Sequence, residues 1–567
     1  MAETIISPGV FSRENDISFI TPAPAEVGAC IIGPAVKGPV EIPTTVTSYN
    51  EYVRVFGETF ESASTKQEFF TSIAAKNYFS QGGNSLLVAR VVTGSYTAAS
   101  NTHISSSEND GIQPFELETI GKGAIYNSSG TENSDNSLEN GNSDNLRWEI
   151  SNKNESKGTF TLSVRRGDDN SKNKVVLETF NNVNLDPNDS NYIEKVIGNQ
   201  VEAISATGDN VTVTGEYINN SKYIRVSAVN SPTINFIGND GNRRVEAHTG
   251  SLPINESGSF SSATGANVVG DDNYYDNVGV RAQGLTGGNY TKIITLLENS
   301  DDYKFNIISA PGLNNNNHGT QITSLIDLAE SRGDCIFIAD LYGHGATVAQ
   351  ITAQARTLNS SYAASYWPWL QTQSGTGKNV WAPASTFIPG VYAFTDGASA
   401  PWFAPAGLVR GGLVGVIQAE RRLSRVQRDD LYDDKVNPIA TFPGTGIAVF
   451  GQKTLQTKAS ALDRVNVRRL LIQLKEFLGN QAQNLVFEQN TVNTRNKFLS
   501  AVNPYLDSVV QRQGLYAFRV VMDDTNNSAD VIDRNQLVGQ IFIQPAKTAE
   551  FIVLDFTVEP TGATFGA

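Results

Sequence analysis

Four stretches of this chain carry residue types that could do chemistry. The first is Ser374-Gly375-Thr376-Gly377-Lys378-Asn379, a glycine- and lysine-bearing loop of the kind that cradles phosphate. Such a loop needs a Gly five residues before the second Gly, and a Ser or Thr after the Lys to hold magnesium. Those positions are Thr372 and Asn379, and the stretch follows Trp367-Pro368-Trp369 and leads to Trp381, not to a helical pattern. It reads as a flexible loop. The second is the set of four histidines, His103, His248, His318 and His344, of which no two lie three or four apart. No helix face could therefore offer a pair of them to a metal. His344, in Gly343-His344-Gly345, follows a strand-like run, and catalytic groups of parallel sheets gather at such positions. No Gly-x-Ser-x-Gly turn is present to supply a nucleophile, so His344 reads as a loop residue.

Third, four of the five tryptophans, Trp367, Trp369, Trp381 and Trp402, fall within 36 residues. An aromatic cluster can be a platform for sugars or bases, or can pack a core or a subunit contact; packing is the stronger reading in an acidic chain. Fourth, Arg464, Arg468, Arg469 and Lys475 lie, at helical spacing, on the side away from an apolar stripe of Val467, Leu470, Leu471, Leu474, Phe477 and Leu478. Arg495 and Lys497 occupy a second helical stretch. A basic run is usually a solvated face, but in an acidic protein it is also a dock for an acidic partner, because opposite potentials steer and register contacts.

The chain around these stretches has 567 residues, room for about four domains. It carries 43 Lys and Arg against 58 Asp and Glu, a net charge of −15. This disfavours a protein that coats nucleic acid, which needs a basic surface to displace counterions. With 18% charged and 39% hydrophobic residues the chain is neither a disordered acidic polymer nor a coiled coil. Cys30 and Cys335 stand alone, without CxxC spacing, which excludes a disulfide framework and argues against a cysteine metal site. The first residues lack the basic and apolar regions of a signal peptide, and no uncharged apolar run reaches the roughly 18 residues of a membrane span. The expectation is a soluble product made in a cytoplasm, without direct membrane insertion.

Composition changes twice along the chain. Residues 96–285 are rich in Asn, Ser, Gly and Asp and hold 14 Lys and Arg against 25 Asp and Glu. Short runs of β-branched and aromatic residues at 159–164, 211–214 and 223–226, bounded by turn residues, predict a β-rich unit. Residues 286–400 predict an α/β unit. A strand at 305–308 precedes a helix with Ile322, Leu325, Ile326 and Ala329 on one face and Gly333 at its stop. A strand at 335–339 and a helix marked by Val348, Ile351, Ala355 and Leu358 follow. This order favours a parallel sheet with right-handed crossovers, in which Cys335 is a small buried hydrophobe. Beyond the helical stripe, strands are expected at 518–522, 540–543 and 551–558.

Leu462-Asp463-Arg464-Val465-Asn466-Val467-Arg468-Arg469-Leu470 resembles a stretch typical of contractile tail sheath proteins. So do Trp402-Phe403-Ala404-Pro405-Ala406-Gly407, Gln427-Arg428-Asp429-Asp430-Leu431-Tyr432 with Asn437-Pro438, Asp523-Asp524-Thr525-Asn526-Asn527 before Val531-Ile532-Asp533-Arg534-Asn535, and Ile543-Gln544-Pro545-Ala546. At the other end, Ser7-Pro8-Gly9-Val10, Gly33-Pro34-Ala35, Phe56-Gly57 and Gln81-Gly82-Gly83-Asn84 before Val88-Ala89-Arg90-Val91-Val92 fall in the family's order. Each stretch is weak alone; their number and order make the resemblance to the tail sheaths of T-even-like myoviruses specific. It covers about 1–95 and 285–567 and fits 96–285 only loosely.

The resemblance implies a mixed α/β multidomain fold (α+β with α/β): a conserved sheath core, a β-rich inserted outer domain and extended terminal arms. The expected divisions are an N-terminal arm at 1–20, a middle α/β domain at 21–95 plus 286–440, the acidic insertion at 96–285, an inner C-terminal domain at 441–559 and an arm at 560–567. It implies stacked six-membered rings around a tail tube, assembled in the host cytoplasm as part of the virion tail. A metastable extended state shortens on a baseplate signal and drives the tube through the host envelope. The implied partners are further copies of the chain, the tube protein, and baseplate and tail terminator proteins, with no nucleic acid. No catalytic residue, cofactor or metal is expected. The inner position of the C-terminal domain makes Arg464, Arg468, Arg469, Lys475, Arg495 and Lys497 expected tube contacts. The arms, with Ile5, Val10 and Phe11 at one end and Phe551, Val553, Phe556 and Val558 at the other, are expected to add strands to neighbouring subunits. Two other readings stay open: the sheath of a contractile bacteriocin or secretion-type injection machine, and an α/β enzyme using His344 with the insertion as a binding domain.

Overall fold

In the computed structural model residues 28–551 are described, apart from 63, 107–112, 239, 241, 243–251, 268–280 and 445. The expected arms at 1–20 and 560–567, and with them Ile5, Val10, Phe11, Val553, Phe556 and Val558, lie outside the described residues.

Ala29–Gly33, Leu86–Arg90, Ile336–Asp340 and Ala363–Trp367 are short, almost wholly apolar runs, and every residue in them is buried. Strands covered on both faces read as continuous apolar runs, not as alternations. Among the described residues they form an eight-stranded sheet in the order 44–46, 86–90, 29–33, 307–314, 336–340, 363–367, 436–442, 446–449. The six inner strands are parallel; the two outermost pair antiparallel. Alternate side chains feed two apolar layers. Ile31, Val88 and Ile338 face the helices Phe70–Ser80 and Ile388–Ala398. Cys30, Leu87 and Phe337 face Asn315–Arg332 and its neighbours. Cys335 is also fully buried on this side, as expected.

Gly333 stops the Asn315–Arg332 helix in the left-handed conformation, φ 68°, with its N–H donating to Ala329 O at 3.0 Å. Glycine adopts this cap without a Cβ penalty. The strand expected at 305–308 begins later, at Ile307, and runs to Asn314. The boundary expected at 440 falls inside the strand Val436–Phe442, whose hairpin partner Gly446–Val449 closes the same sheet. The core sheet therefore runs past 440, with Asn437-Pro438 inside the strand.

The inserted segment builds a second, all-antiparallel sheet of seven strands among the described residues, in the order 176–183, 159–166, 146–154, 256–261, 98–101, 115–122, 224–229. Phe115–Lys122 alternates strictly between buried and half-buried residues, as a sheet with one solvated face requires. The run at 211–214 is a strand, but it pairs with Val201–Ile204 in a separate hairpin. Fully buried Arg90 joins the two sheets. Its guanidinium donates to Ala35 O at 3.1 Å and Gly38 O at 2.8 Å in the core, and to Lys122 O at 2.8 Å in the insertion.

Two long helices, Val465–Gln483 and Val492–Gln511, and the hairpin Leu515–Val521 with Gln540–Pro545 form the C-terminal part. Their shared apolar cluster includes Trp402, Leu470, Leu474, Phe498, Val502 and Leu506.

Candidate functional site

The glycine-lysine loop is the turn of a hairpin. Leu370–Gln373 pairs with Asn379–Ala382, and Ser374 N–H donates to Lys378 O at 2.9 Å. Gly375 N–H is spent on Glu68 Oε2 at 2.5 Å; it is not aimed outward as an anion nest would be. His344 packs against the rings of Trp369 and Trp381, centroids 5.7 and 5.2 Å away, and Gly345 N–H donates to Glu420 Oε1 at 2.7 Å. Trp367, Trp369 and Trp402 are buried, and Trp381 half-buried, so the tryptophans pack. His318 is buried, His103 is exposed, and His248 lies outside the described residues. Among the described residues no three His, Cys, Asp or Glu side chains are grouped to hold a metal ion, and no helix is long and apolar enough to cross a membrane.

The basic helix departs from its sequence reading. Arg468 and Arg469 are buried. Arg469 donates to Asp396 Oδ2 at 2.5 Å, and its guanidinium lies 4.5 Å from the centre of the Tyr392 ring. Arg468 donates to Ser361 Oγ and lies 3.9 Å over the Tyr362 ring; burial pushes its guanidinium below the ordinary value. Arg495, also buried, donates to Asp524 Oδ1 at 2.7 Å. The physical reason is a second neighbour. Leu470 and Leu474 of the Val465–Gln483 helix enter the C-terminal cluster, while Val465 and Ile472 enter a layer of the core sheet. The apolar stripe located only the first of these contacts. Lys475 and Lys497 remain exposed, and Lys475 Nζ donates to Tyr362 OH at 3.0 Å.

Arg464 has a different task. Its Nε donates to Glu550 Oε1 at 2.8 Å, Gln452 Nε2 to the same oxygen at 2.9 Å, and Tyr432 OH to Oε2 at 2.9 Å. Three elements thus hold the chain just before it leaves the described region. Burial alone would raise the Glu550 carboxyl; the donors and the Arg464 charge outweigh it and hold the group below the usual carboxylate range. A carboxyl whose value is lowered by folding stabilises above its unfolded value, about 4.3, and that contribution is lost as pH falls through the lowered value. Acidification from roughly pH 6 toward pH 3 should therefore strip protection from the amides of 546–551 in hydrogen exchange, once intrinsic rates are divided out. Glu550→Gln should show reduced protection already at the upper end and little further pH dependence there.

Beside this anchor lies the hairpin Leu515–Val521 with Gln540–Pro545. Phe518, Val520, Ile541 and Ile543 pack toward the helices. Tyr516 and Phe542 stand outward, 64% and 56% exposed. Among the described residues each strand has the other as its only partner. Two strands alone are marginal, and their open edges are templates for a further strand. Phe551 is 80% exposed and in no strand; the rest of the strand expected at 551–558 lies outside the described residues. Sequence reasoning missed Asp396 and Tyr392 as partners of Arg469. The available signal was a Tyr and an Asp one turn apart in the otherwise apolar Ile388–Ala398. The Glu550 anchor, whose three partners lie 86 or more positions before it, left no local signal.

Comparison with known proteins matches residues 283–455 to the phage tail sheath protein central domain, and 457–559 to the phage tail sheath C-terminal domain. The chain is 43% identical over 188 residues to the tail sheath protein of Vibrio phage KVP40 and 40% identical over 187 residues to that of Enterobacteria phage T4. Each match covers 33% of this chain and 28% of the relative, so the matched stretch spans under a third of either relative's length. The sheath tail protein of Listeria innocua, at 10% identity, superposes with a TM-score of 0.52 over 92% of this chain and 96% of its own, a likeness of fold alone. The mixed α/β architecture expected from the sequence is thus the fold of that sheath tail protein, and residues 283–559 of this chain carry the central and C-terminal domains of phage tail sheath proteins.

Proposed function

We propose that this chain is the structural subunit of a contractile phage tail sheath. It stacks as six-membered rings around the tail tube and shortens from a metastable extended state to drive the tube through the host envelope. The observation that carries this reading is the run of two sheath domains from 283 to 559. Its partners are further copies of itself, the tube protein, and baseplate and tail terminator proteins; it is assembled in the host cytoplasm and works in the virion tail. The role needs no catalytic group: a bias of a few kcal/mol per subunit, repeated along an array, makes the change effectively irreversible.

In this reading the acidic insertion faces outward, where bulk does not obstruct rotation, and the part after 440 faces the tube. The arms at 1–20 and beyond Phe551 add strands to neighbouring subunits, and the open edges of the Leu515–Val521 hairpin receive them. Subunits joined through their main chains stay tied while their bodies rotate. The contact is head-to-tail and does not close along the axis, so it generates a helix.

Negative-stain electron microscopy of the purified chain, alone and with the tube protein, tests the proposal. Hollow helical tubes are the expected result; particles that stay small even with the tube protein present overturn it. The tube contact is tested at Lys475 and Lys497, which are exposed. The double variant Lys475→Glu, Lys497→Glu should still form tubes alone but fail to assemble in the extended state on the tube. Normal extended assembly removes these residues from the contact. Reversing Arg468 would probe folding instead, because Arg468 is buried.

A further inference from the structure

The core carries an apolar groove of about 570 Å³ that the sheath reading does not use. Its walls include Phe394, Val409, Val414 and Ile417, which are 40%, 82%, 55% and 51% exposed. Exposed large apolar side chains scattered singly need no explanation, but a groove lined by four of them marks an interaction site. Two further features describe the occupant. One wall is the strand Val416–Ala419, which is at the edge of its three-stranded sheet, so an extended segment can pair with it. The rim is basic: Arg422 lines the groove, and Arg421 and Arg425 beside it in sequence are exposed.

We infer that the groove receives residues 14–27 of the same chain as an added strand. The described chain begins at Gly28, packed beside Tyr78 and Ser85. These flank Ser80 and Gln81, which form another wall of the groove. Residues 14–27 read Glu-Asn-Asp-Ile-Ser-Phe-Ile-Thr-Pro-Ala-Pro-Ala-Glu-Val. They carry three carboxylates and no Lys or Arg, the complement of an arginine rim. Ile17 and Phe19 alternate with Asp16 and Ser18, so both aromatic and aliphatic side chains fall on one face of an extended strand. Nine Cα–Cα steps separate Phe19 from Gly28, a reach of about 30 Å at full extension, so the segment can lie along the groove without leaving its own subunit. Residues 14–20 are thereby taken from the arm proposed above, and 1–13, with Ile5, Val10 and Phe11, are left for a neighbouring copy; the inference stands or falls independently of ring assembly.

Site-directed cross-linking of the unassembled full-length chain tests it. Cys30 and Cys335 are fully buried, so introduced cysteines report alone. Phe19→Cys is paired with Val409→Cys in the groove, or with Val213→Cys, an exposed position on the insertion, as the control. With a short bismaleimide, the groove pair should link within the monomer at least tenfold faster than the control pair. Arg422→Glu should slow it severalfold, and adding Asp16→Arg should restore it. In parallel, hydrogen exchange at 416–419 should quicken when residues 1–24 are removed. Equal rates for the two pairs, links found only between copies, or unchanged exchange at 416–419 would each overturn the inference.

Discussion

Replacing Asp169 by Ala is expected to destabilise the inserted sheet by about 3–5 kcal/mol, because it strands two buried guanidinium groups. Asp169 is fully buried and accepts from Arg165 Nε at 2.7 Å, Arg165 Nη2 at 2.8 Å and Arg147 Nη1 at 3.2 Å. It also accepts from Val175 N–H at 3.0 Å, across the loop that joins two strands. Arg147 and Arg165 are themselves buried and lie on adjacent strands, 146–154 and 159–166. The carboxylate therefore ties two strands and a turn at one atom cluster. Glu132 and Glu149, the latter on the strand 146–154, bond the other sides of the two guanidiniums, so Asp169 alone holds their shared inner side. Asp169→Asn keeps the shape but loses the charge, so it should fall between wild type and Ala. Hydrogen exchange of peptides spanning 146–183 is the measurement, since this sheet can open without the core. Peptides from 336–340 and 363–367 should keep their protection; loss spread over both sheets would contradict the assignment of Asp169 to the insertion alone.

The second large effect is expected at Arg469. Removing its side chain should loosen the C-terminal helices from the core by a similar amount, about 3–5 kcal/mol. The guanidinium bridges two helices: its own, Val465–Gln483, and Ile388–Ala398, which carries both Asp396 and Tyr392. Tyr392 OH in turn lies 2.6 Å from Tyr366 OH on a central strand of the core sheet, so the contact continues into the parallel sheet. Arg469→Ala leaves Asp396 without its cation and removes the guanidinium from the Tyr392 ring. Arg469→Lys keeps the charge but neither the planar fork nor the stacking, and should recover only part of the loss. A double-mutant cycle with Asp396→Asn, read by urea unfolding, isolates the pair: additive effects would mean that the bridge contributes nothing of its own.

The sequence was most legible where one periodicity meets one neighbour. The Gly333 stop and the alternation of the inserted strands could be read from spacing alone, because each is a local pattern facing a single layer; the buried run expected at 335–339 was legible from its unbroken apolar character, and the strand at 363–367 was not read at all. Arg468 and Arg469 were misread as part of an open basic face for the converse reason. A stripe of leucines fixes one contact, and nothing at helical spacing announces that Tyr362, Tyr392 and Asp396, more than 70 residues earlier, cover the opposite side. Burial of Arg468 and Arg469 by aromatic faces is a tertiary fact. The same holds for the groove at Val409, Val414 and Ile417. Its residues look like ordinary core apolars in sequence, and only the fold leaves them uncovered.

The order of strands in the core sheet has a consequence for how the protein is made. Ala29–Gly33 lies between Leu86–Arg90 and Ile307–Asn314, so one of its two edges is completed by residues that follow the whole insertion. On a ribosome adding about 5–20 residues per second, the first strands wait on the order of 10–40 s for that partner. During that interval a strand that ends up buried on both faces offers an unpaired edge to other nascent chains. The insertion, whose sheet pairs only within itself, can meanwhile fold first. Translation thus delivers a finished inserted unit before the body that carries it, and the vulnerable moment in biosynthesis is the wait before residue 307 emerges.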